Sequence, residues 1–549
     1  MNIFKVILLY SLFPVLGFSQ NIYPVKDNSL NEYEILTTMK RATVFMVDKV
    51  SYKGGYVWSY LPDFSRRWGE MEAYKTMIWV QPPGTPKMGH IFLDAYHATH
   101  DEYYYQAAQQ VAKALIEGQL SCGGWNYMID FADAESIKKW YKTIGANGWR
   151  LEEFQHYYGN ATFDDGGTAE AATFLLRMFL ERRDTEIKAA LDKVIGFVLE
   201  SQYEVGGWPQ RYPPTDQFIK QGRQDYSSFI TFNDDVAARN INFLILCYRS
   251  LNDTSLLVPI HKAMDAFVSL QMPMPQPGWA MQYSLDLKPT GARTYEPAAL
   301  ATNSTENNLF QLLYFYQLTG DRKYIQRILE AIEWLESLRL PAHLVVDNRS
   351  FPTFVEIGTN KPIYIHRQGS NVTNGEYFAD HNPSNTISHY RSMRFIHIDS
   401  LRKEYTKLKS MSPEKISESS ILKAGNYELP QFFTKWDLVL SDLNSNYLPR
   451  LKVSFEMVKK IFEDLNQEGY WPTVLRVQTN PYIGPGPKEV APGDFATKRS
   501  GDKYDTSPYI NDDSDIIGIS TGVYIKNMKN LIEYFVSIKD ESIKKNKRK

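Results

Sequence analysis

A chain of 549 residues with 43% hydrophobic and 23% charged side chains can bury a full globular core, as one large domain or several. Its formal net charge of −2 excludes the strong basic field of a nucleic-acid binder or a membrane-surface protein. Aromatics make up 14%, with 36 Tyr and 11 Trp, which suits either a helical core or a surface that stacks on sugar rings.

In chain order, the first feature is an apolar run over residues 6–18 that follows Lys5. Gly17 and Ser19 place small residues at positions −3 and −1 of a cut before Gln20, the pattern of a secretory signal peptide. Residues 1–19 are therefore expected to be removed, leaving 20–549 as a single domain, secreted or periplasmic and without a membrane anchor. Cys122 and Cys247 have no diagnostic spacing and are predicted to be two buried free thiols.

From about Glu32 the chain repeats a unit. One runs from Ile78-Trp-Val-Gln81 to Gly123-Gly-Trp125, and the next from Ala161-Thr-Phe-Asp-Asp165 to Gly206-Gly-Trp208. A third runs from Ile230-Thr-Phe-Asn-Asp-Asp235 to Pro277-Gly-Trp279, and a fourth opens at Ala301-Thr-Asn-Ser-Thr-Glu306. Apolar residues inside them recur with helical spacing, as at Ala172, Leu175, Leu176 and Phe179. Each unit reads as a short strand, two antiparallel helices and a Gly-Trp return. The chain ends hold complementary halves: Tyr509-Ile-Asn-Asp-Asp513 resembles a unit opening, and Gly54-Gly-Tyr-Val-Trp58 a unit closing. Gly469-Tyr-Trp-Pro472 closes a further half. The expected fold is all-α: an α/α toroid, an incomplete or closed barrel of about six helical hairpins with short β segments and long loops. An open solenoid is the alternative. Segments 347–426 and 473–506, rich in Asn, Ser, Pro and Gly, are predicted to be long surface loops.

In such a ring the helix starts and Gly-Trp returns fall at one end, which brings Asp164, Asp165, Asp234, Asp235, Trp208, Trp279 and Arg293 to one face. An Asp before a helix is ordinarily a cap, but two adjacent carboxylates exceed what one cap needs. Two such pairs at one cleft can serve a hard cation such as calcium, which takes several oxygen ligands. The chain lacks HExxH, Gly-rich phosphate-loop and GxSxG patterns. Arg211, Arg293, Lys361 and Arg367 lie near the ends of the units; beside aromatics and carboxylates they suggest an anionic sugar polymer, which Arg forks bind through its carboxylates. His156, His366 and His381 are read as loop or surface residues.

Five motifs taken together resemble the pectate lyases of polysaccharide lyase family 10: Gly207-Trp-Pro-Gln-Arg-Tyr-Pro213, Ile230-Thr-Phe-Asn-Asp-Asp235, Gly278-Trp-Ala-Met-Gln-Tyr283, Ala292-Arg-Thr-Tyr-Glu-Pro297 and Glu356-Ile-Gly-Thr-Asn-Lys-Pro-Ile363. The resemblance covers about residues 103–369 and fades beyond; segment 370–549 is expected to be an extension that closes the ring. It implies a toroidal, monomeric lyase that cleaves polygalacturonate by β-elimination with Ca2+. By the same resemblance Arg293 is the proton-abstracting arginine, and Asp164, Asp234 and Asp235 form the cation and carboxylate site. Asp165 stands where the family has a polar amide and is not counted among the ligands. Trp208, Arg211, Asn233, Trp279, Tyr295, Lys361 and Arg367 are assigned to substrate. Elimination removes the C5 proton α to a carboxylate, so neutralising that carboxylate stabilises the enediolate. An Arg base needs burial or neighbouring cations to lower a pKa otherwise above about 12, which implies alkaline working pH. Two other functions fit the same cleft. One is a glycoside hydrolase using Asp164 and Asp234; the other is a glycan-binding protein without turnover.

Overall fold

The computed structural model describes residues 31–148, 151–368, 376–387, 390–418, 420–423, 453–475 and 516–546. The expected signal peptide and the motif at 509–513 lie outside the described residues. Among the described residues fourteen α-helices follow in order: α1 Glu32–Phe45, α2 Thr85–Thr99, α3 Glu102–Glu117, α4 Ala134–Lys142, α5 Gly167–Arg182, α6 Thr185–Glu200 and α7 Val236–Leu251. They continue with α8 Leu257–Ser269, α9 Thr302–Thr319, α10 Ile328–Ser337, α11 Ile398–Lys409, α12 Pro413–Ile416, α13 Phe455–Asp464 and α14 Thr521–Asn546. Hairpins α2–α3, α5–α6, α7–α8 and α9–α10 pack side by side, with α14 on α2, α2 on α5 and α5 on α7. The described elements form an incomplete α/α toroid, an arc rather than a closed barrel.

In every unit the return strand pairs antiparallel with the strand that opened it. Met77–Trp79 pairs with Met128–Asp130, Ala161–Thr162 with Arg211–Tyr212, Ile230–Thr231 with Gln282–Tyr283, and Leu300–Ala301 with Phe354–Val355. One further unit is split between the chain ends: Ile517–Ser520 opens into α14, and its partner strand Ser59–Tyr60 follows α1. The two chain ends thus share a unit, opened at Ile517–Ser520; the opening motif expected at 509–513 lies outside the described residues.

The Gly-Trp returns have a structural cause. The indole Nε1 of Trp125, Trp208, Trp279 and Trp471 donates to the carbonyls of Leu115, Val198, Phe267 and Ile461, each near the end of the preceding outer helix, at 2.8–2.9 Å. The glycine two residues before Trp125, Trp208 and Trp471 meets the next outer helix. Gly206 has φ +101°, and a Cβ there would stand 2.0 Å from the Lys262 carbonyl oxygen; Gly123 meets Lys193 in the same way. Gln119 and Gln202 reinforce the step, each donating to its own loop and to a carbonyl of the following outer helix, Ala190 or Pro259.

Genuine helix caps lie at the opposite ends of the hairpins. Each tip has a left-handed residue followed by an Asp whose carboxylate accepts from backbone N–H groups: His100-Asp101, Arg183-Asp184, Asn252-Asp253 and Gly320-Asp321. Asn303-Ser-Thr caps nothing, since α9 begins at Thr302 without a side-chain cap.

Three expectations are corrected. Segment 347–426 contains a long hairpin, Pro362–Gln368 with Glu376–Asp380, besides α11 and α12, because alternate apolar residues such as Ile363 and Ile365 pack on Met281 and Phe354. His366 is buried in that hairpin, where its ring bonds to Asp380. Cys247 is buried as expected, but Cys122 is only half-buried. No helix among the described residues is long and apolar enough to cross a membrane.

The close approach at Gly206 predicts that Gly206→Ala destabilises the protein by roughly 2–4 kcal/mol, through a disallowed φ and a backbone clash. Thermal unfolding of the variant measures it; an unchanged midpoint contradicts the role given to this glycine.

Candidate active site

The acidic pairs do not cap the helices they precede. Asp165 and Gly166 both have positive φ, as do Asp234 and Asp235, and neither α5 nor α7 receives a side-chain cap. Two successive left-handed residues cost about 1 kcal/mol each outside glycine, although Asp tolerates them better than most. The turns Asp164–Gly166 and Asn233–Asp235 pack against each other. Carboxylate oxygens of Asp164, Asp165 and Asp234 lie within 4.8 Å of one another at the positive ends of two helices.

Asp235 is outside this group, because the turn sends its carboxylate to Asn307, whose Nδ2 donates to Oδ1 at 3.2 Å. Asp165 takes the third place. The clustered group therefore differs from the expected set of Asp164, Asp234 and Asp235: Asp235 holds the turn position of Gly166 and is bonded to Asn307, whereas Asp165 holds the position of Asp234.

Arg293 sits against the cluster with only 3% of its surface exposed. Its Nη2 donates to Asp164 Oδ2 at 2.6 Å and its Nη1 to Glu296 Oε1 at 3.0 Å, while Nε lies 3.3 Å from Glu153 Oε2. The Tyr226 ring stands 5.4 Å from the guanidinium carbon. Burial alone would lower its pKa, but Asp164 and Glu296 outweigh burial and hold it well above the ordinary value. In this state Arg293 is firmly protonated.

The neighbouring acids divide by environment. Burial opposes ionisation of Asp164, but Arg293 and the Tyr127 hydroxyl, which donates to its Oδ2, keep its pKa below the ordinary value. Burial and the nearby Asp164 charge push Asp165 up to about 7 and raise Asp234 well above the carboxylate range. Burial takes Glu153 to about 7 despite Arg293. Glu70 is raised by burial and by Asp165; Gln81 Nε2 donates to both, at 2.8 Å and 2.6 Å. Glu152 receives the Thr294 backbone N–H at 3.1 Å and the Thr294 hydroxyl, which fixes the loop that carries Arg293. Sequence reading singled out none of Glu70, Gln81, Tyr127, Glu152, Glu153 or Glu296 as a site residue. Glu296 had a local signal, three residues after Arg293 in a quoted motif, and Gln81 ends a quoted unit opening.

The residues assigned to substrate separate. Asn233 is in the site, its Nδ2 donating to Asp234 Oδ2 at 2.6 Å. Arg211 is buried between the rings of Tyr127 and Tyr158, with Nη1 3.3 Å from the side-chain oxygens of Asn126 and Asn160. Tyr295 and Arg367 are both buried; Tyr295 packs on Tyr377 and Tyr390. Trp208 and Trp279 are corrected. Both are fully buried with their indole N–H groups bonded to outer-helix carbonyls, so neither offers a face to a sugar. Lys361 is exposed in the turn between Phe354–Val355 and Pro362–Gln368, where Glu356 N donates to its carbonyl.

Calcium takes oxygen ligands at 2.3–2.6 Å, and the cluster fits that chemistry. It offers three carboxylates, and Asp164 Oδ1 is buried with no hydrogen-bond partner.

A buried arginine beside three clustered carboxylates thus lies at one end of the α/α toroid, and comparison with known proteins gives the class. Residues 130–379 match the model of the pectic acid lyase family, a segment that holds Arg293 and all three clustered Asp residues. That segment is a pectic acid lyase domain, and the protein is a polysaccharide lyase. A family 10 polysaccharide lyase from Cellvibrio cellulosa, solved as a D189A mutant with trigalacturonic acid, is 18% identical, covering 59% of this chain and 98% of its own, with a TM-score of 0.38. The same lyase without the mutation covers 64% and 98% at 18% identity, with a TM-score of 0.35. An α-1,6-mannanase from Salegentibacter is 12% identical, covering 92% and 99%, also at 0.35. No curated protein matches the chain.

The raised acids give stability a definite pH dependence. Asp165 and Glu153 move from ordinary values of 3.8 and 4.5 to about 7, so the folded state keeps protons that the unfolded chain releases between those limits. Stability is therefore complete below about pH 4 for these groups and is lost as pH rises through 7. Calorimetry without divalent cations should show a lower thermal midpoint at pH 8 than at pH 5, and Asp165→Asn should shrink the difference.

Proposed function

We propose that this protein is an exported pectate lyase that cleaves polygalacturonate by calcium-assisted β-elimination, with Arg293 as the proton-abstracting group. The observation that carries this reading is the buried Arg293–Asp164 pair beside three mutually close carboxylates, within a segment that matches the pectic acid lyase family. An anionic, 4-linked uronate polymer is the substrate class that such a domain would take, with Arg211 and Arg293 as its cationic groups. The apolar run at 6–18 and the small residues before Gln20 support export.

Asp164, Asp165 and Asp234 would hold the calcium ion. Bound there, it would supply Lewis-acid neutralisation of the carboxylate α to the reacting carbon and would draw Asp164 away from Arg293. Arg293, once it lost that partner, would have a lower pKa, the condition under which a guanidine can accept the C5 proton. Glu296 orients the guanidinium through Nη1, and Glu153 faces Nε, so the remaining Nη2 is the atom aimed at the cluster and at a sugar lying over it. Arg211, held between two tyrosines, would pair with a uronate carboxylate. Burial of these groups excludes water and strengthens each interaction.

Digestion of polygalacturonate followed at ultraviolet wavelengths should give unsaturated products that cease when calcium is chelated. Saturated reducing ends alone would mean hydrolysis, and binding without product would mean a glycan receptor. Arg293→Lys keeps a positive charge among the buried carboxylates but loses the planar fork. It should lower kcat at least about a thousandfold, about 4 kcal/mol of transition-state stabilisation. Near wild-type elimination by this variant would remove Arg293 as the base. Calcium should also raise the thermal midpoint at pH 8, because it binds the carboxylates that repel one another in the folded state.

A further inference from the structure

Tyr390 lies beyond the matched segment 130–379, yet its hydroxyl reaches three side chains of the site. It donates to Glu296 Oε1 at 2.8 Å, accepts from Asn233 Nδ2 at 3.1 Å, and lies 3.5 Å from Arg293 Nη1. A phenol has one proton and two lone pairs, so these partners use its whole capacity. The two sides it joins belong to different units. Asn233 is bonded to Asp234 in the third unit's opening turn, whereas Arg293 and Glu296 share the loop before the fourth.

The segment that delivers Tyr390 is anchored. The ring packs edge-on to Tyr295, with centroids 5.8 Å apart, and Tyr295 in turn meets Tyr377 of the hairpin strand Glu376–Asp380 at 5.5 Å. Thr353 N donates to the Ser392 carbonyl at 3.0 Å, and the Thr353 hydroxyl donates to the Arg391 carbonyl. Tyr390 and Arg391 have φ of 61° and 51°, successive left-handed residues as at Asp234–Asp235. Neither is glycine, and a bulky side chain adopts that conformation only where its surroundings hold it there.

We propose that Tyr390 is a positioning residue whose hydroxyl ties the Arg293–Glu296 pair to Asn233–Asp234 and so fixes the separation between the proton-abstracting arm and the acidic cluster. The catalytic consequence rests on the lyase reading above; the tie itself does not. Tyr390→Phe removes only the hydroxyl and keeps the ring in its aromatic contacts. It removes one donor from Glu296 and one acceptor from Asn233, and leaves the long 3.4 Å bond from Asn233 Nδ2 to Glu296 Oε1 as the remaining direct link between the two sides.

Two measurements on the full chain test the proposal. Hydrogen exchange should become faster in Tyr390→Phe in peptides spanning 233–235 and 293–296 and stay unchanged in α6; unchanged exchange in both site peptides overturns the tie. On polygalacturonate, kcat should fall roughly ten- to a hundredfold, the worth of one hydrogen bond to a charged group, with KM within about twofold and an unaltered thermal midpoint. In a Glu296→Gln background the same change should cost less than about twofold, because the partner through which it acts is already impaired. A full additional loss in that background overturns action through Glu296. Absence of unsaturated product from the wild type would defeat the lyase reading alone, and the exchange data would still decide the tie.

Discussion

The Arg293–Asp164 pair is the contact on which the site depends. Glu70, Glu153, Asp164, Asp165, Asp234 and Glu296 crowd into one buried region, and their mutual repulsion would not be tolerated if all were ionised. Arg293 touches three of them and holds Asp164 below its ordinary pKa despite burial, whereas burial still raises Glu153 beside it. Removing one member of such a buried pair typically costs about 3–5 kcal/mol, because the other is left uncompensated. The pair is therefore the brace of this buried charge cluster, and under the proposed function a cation that takes Asp164 would change the state of Arg293.

The toroid makes this concentration of charge possible. Every unit places its strand pair and the start of its inner helix at the same end of the ring. Residues from the openings of the second and third units and from the loop before the fourth thus converge although they are far apart in sequence. The Gly-Trp returns hold the frame through tryptophan-to-carbonyl bonds and through glycines pressed on the next outer helix. Asp caps close the hairpin tips at the other end. Acidic residues thus do two separate jobs: capping at the tips, and gathering charge at the openings.

Much of the frame was legible because it repeats. Helical spacing, the Gly-Trp returns and the complementary chain ends all reflect local or periodic constraints, and the structure bears out the helical toroid and the meeting of the ends. Among the site residues, Arg293, Asp164, Asp234 and Asn233 stood in recognisable motifs and came together. Trp208 and Trp279 stood in the same motifs for another reason, since a tryptophan that braces a helix looks in sequence like one that stacks on a sugar. Asp235 and Asp165 changed places because the two turns align one residue apart from the Asp-Asp pairs, with Asp165 opposite Asp234 and Gly166 opposite Asp235. Glu70, Gln81 and Tyr390 lie outside the matched segment, and Tyr127 and Glu153 outside the quoted motifs. Each is an ordinary residue until distant chain is brought beside it.

What the sequence by itself determined was the periodic part: which stretches are helices, how they pair, and which loops carry acidic, basic and aromatic residues to one end. Those properties follow from side-chain spacing and local turn chemistry, which act over a few residues. Tertiary structure alone decided which carboxylates share a space, which remain charged, and that Arg293 is caged by three of them. Ionisation in a buried site depends on distances between groups that are remote in the chain, and no local pattern encodes those distances.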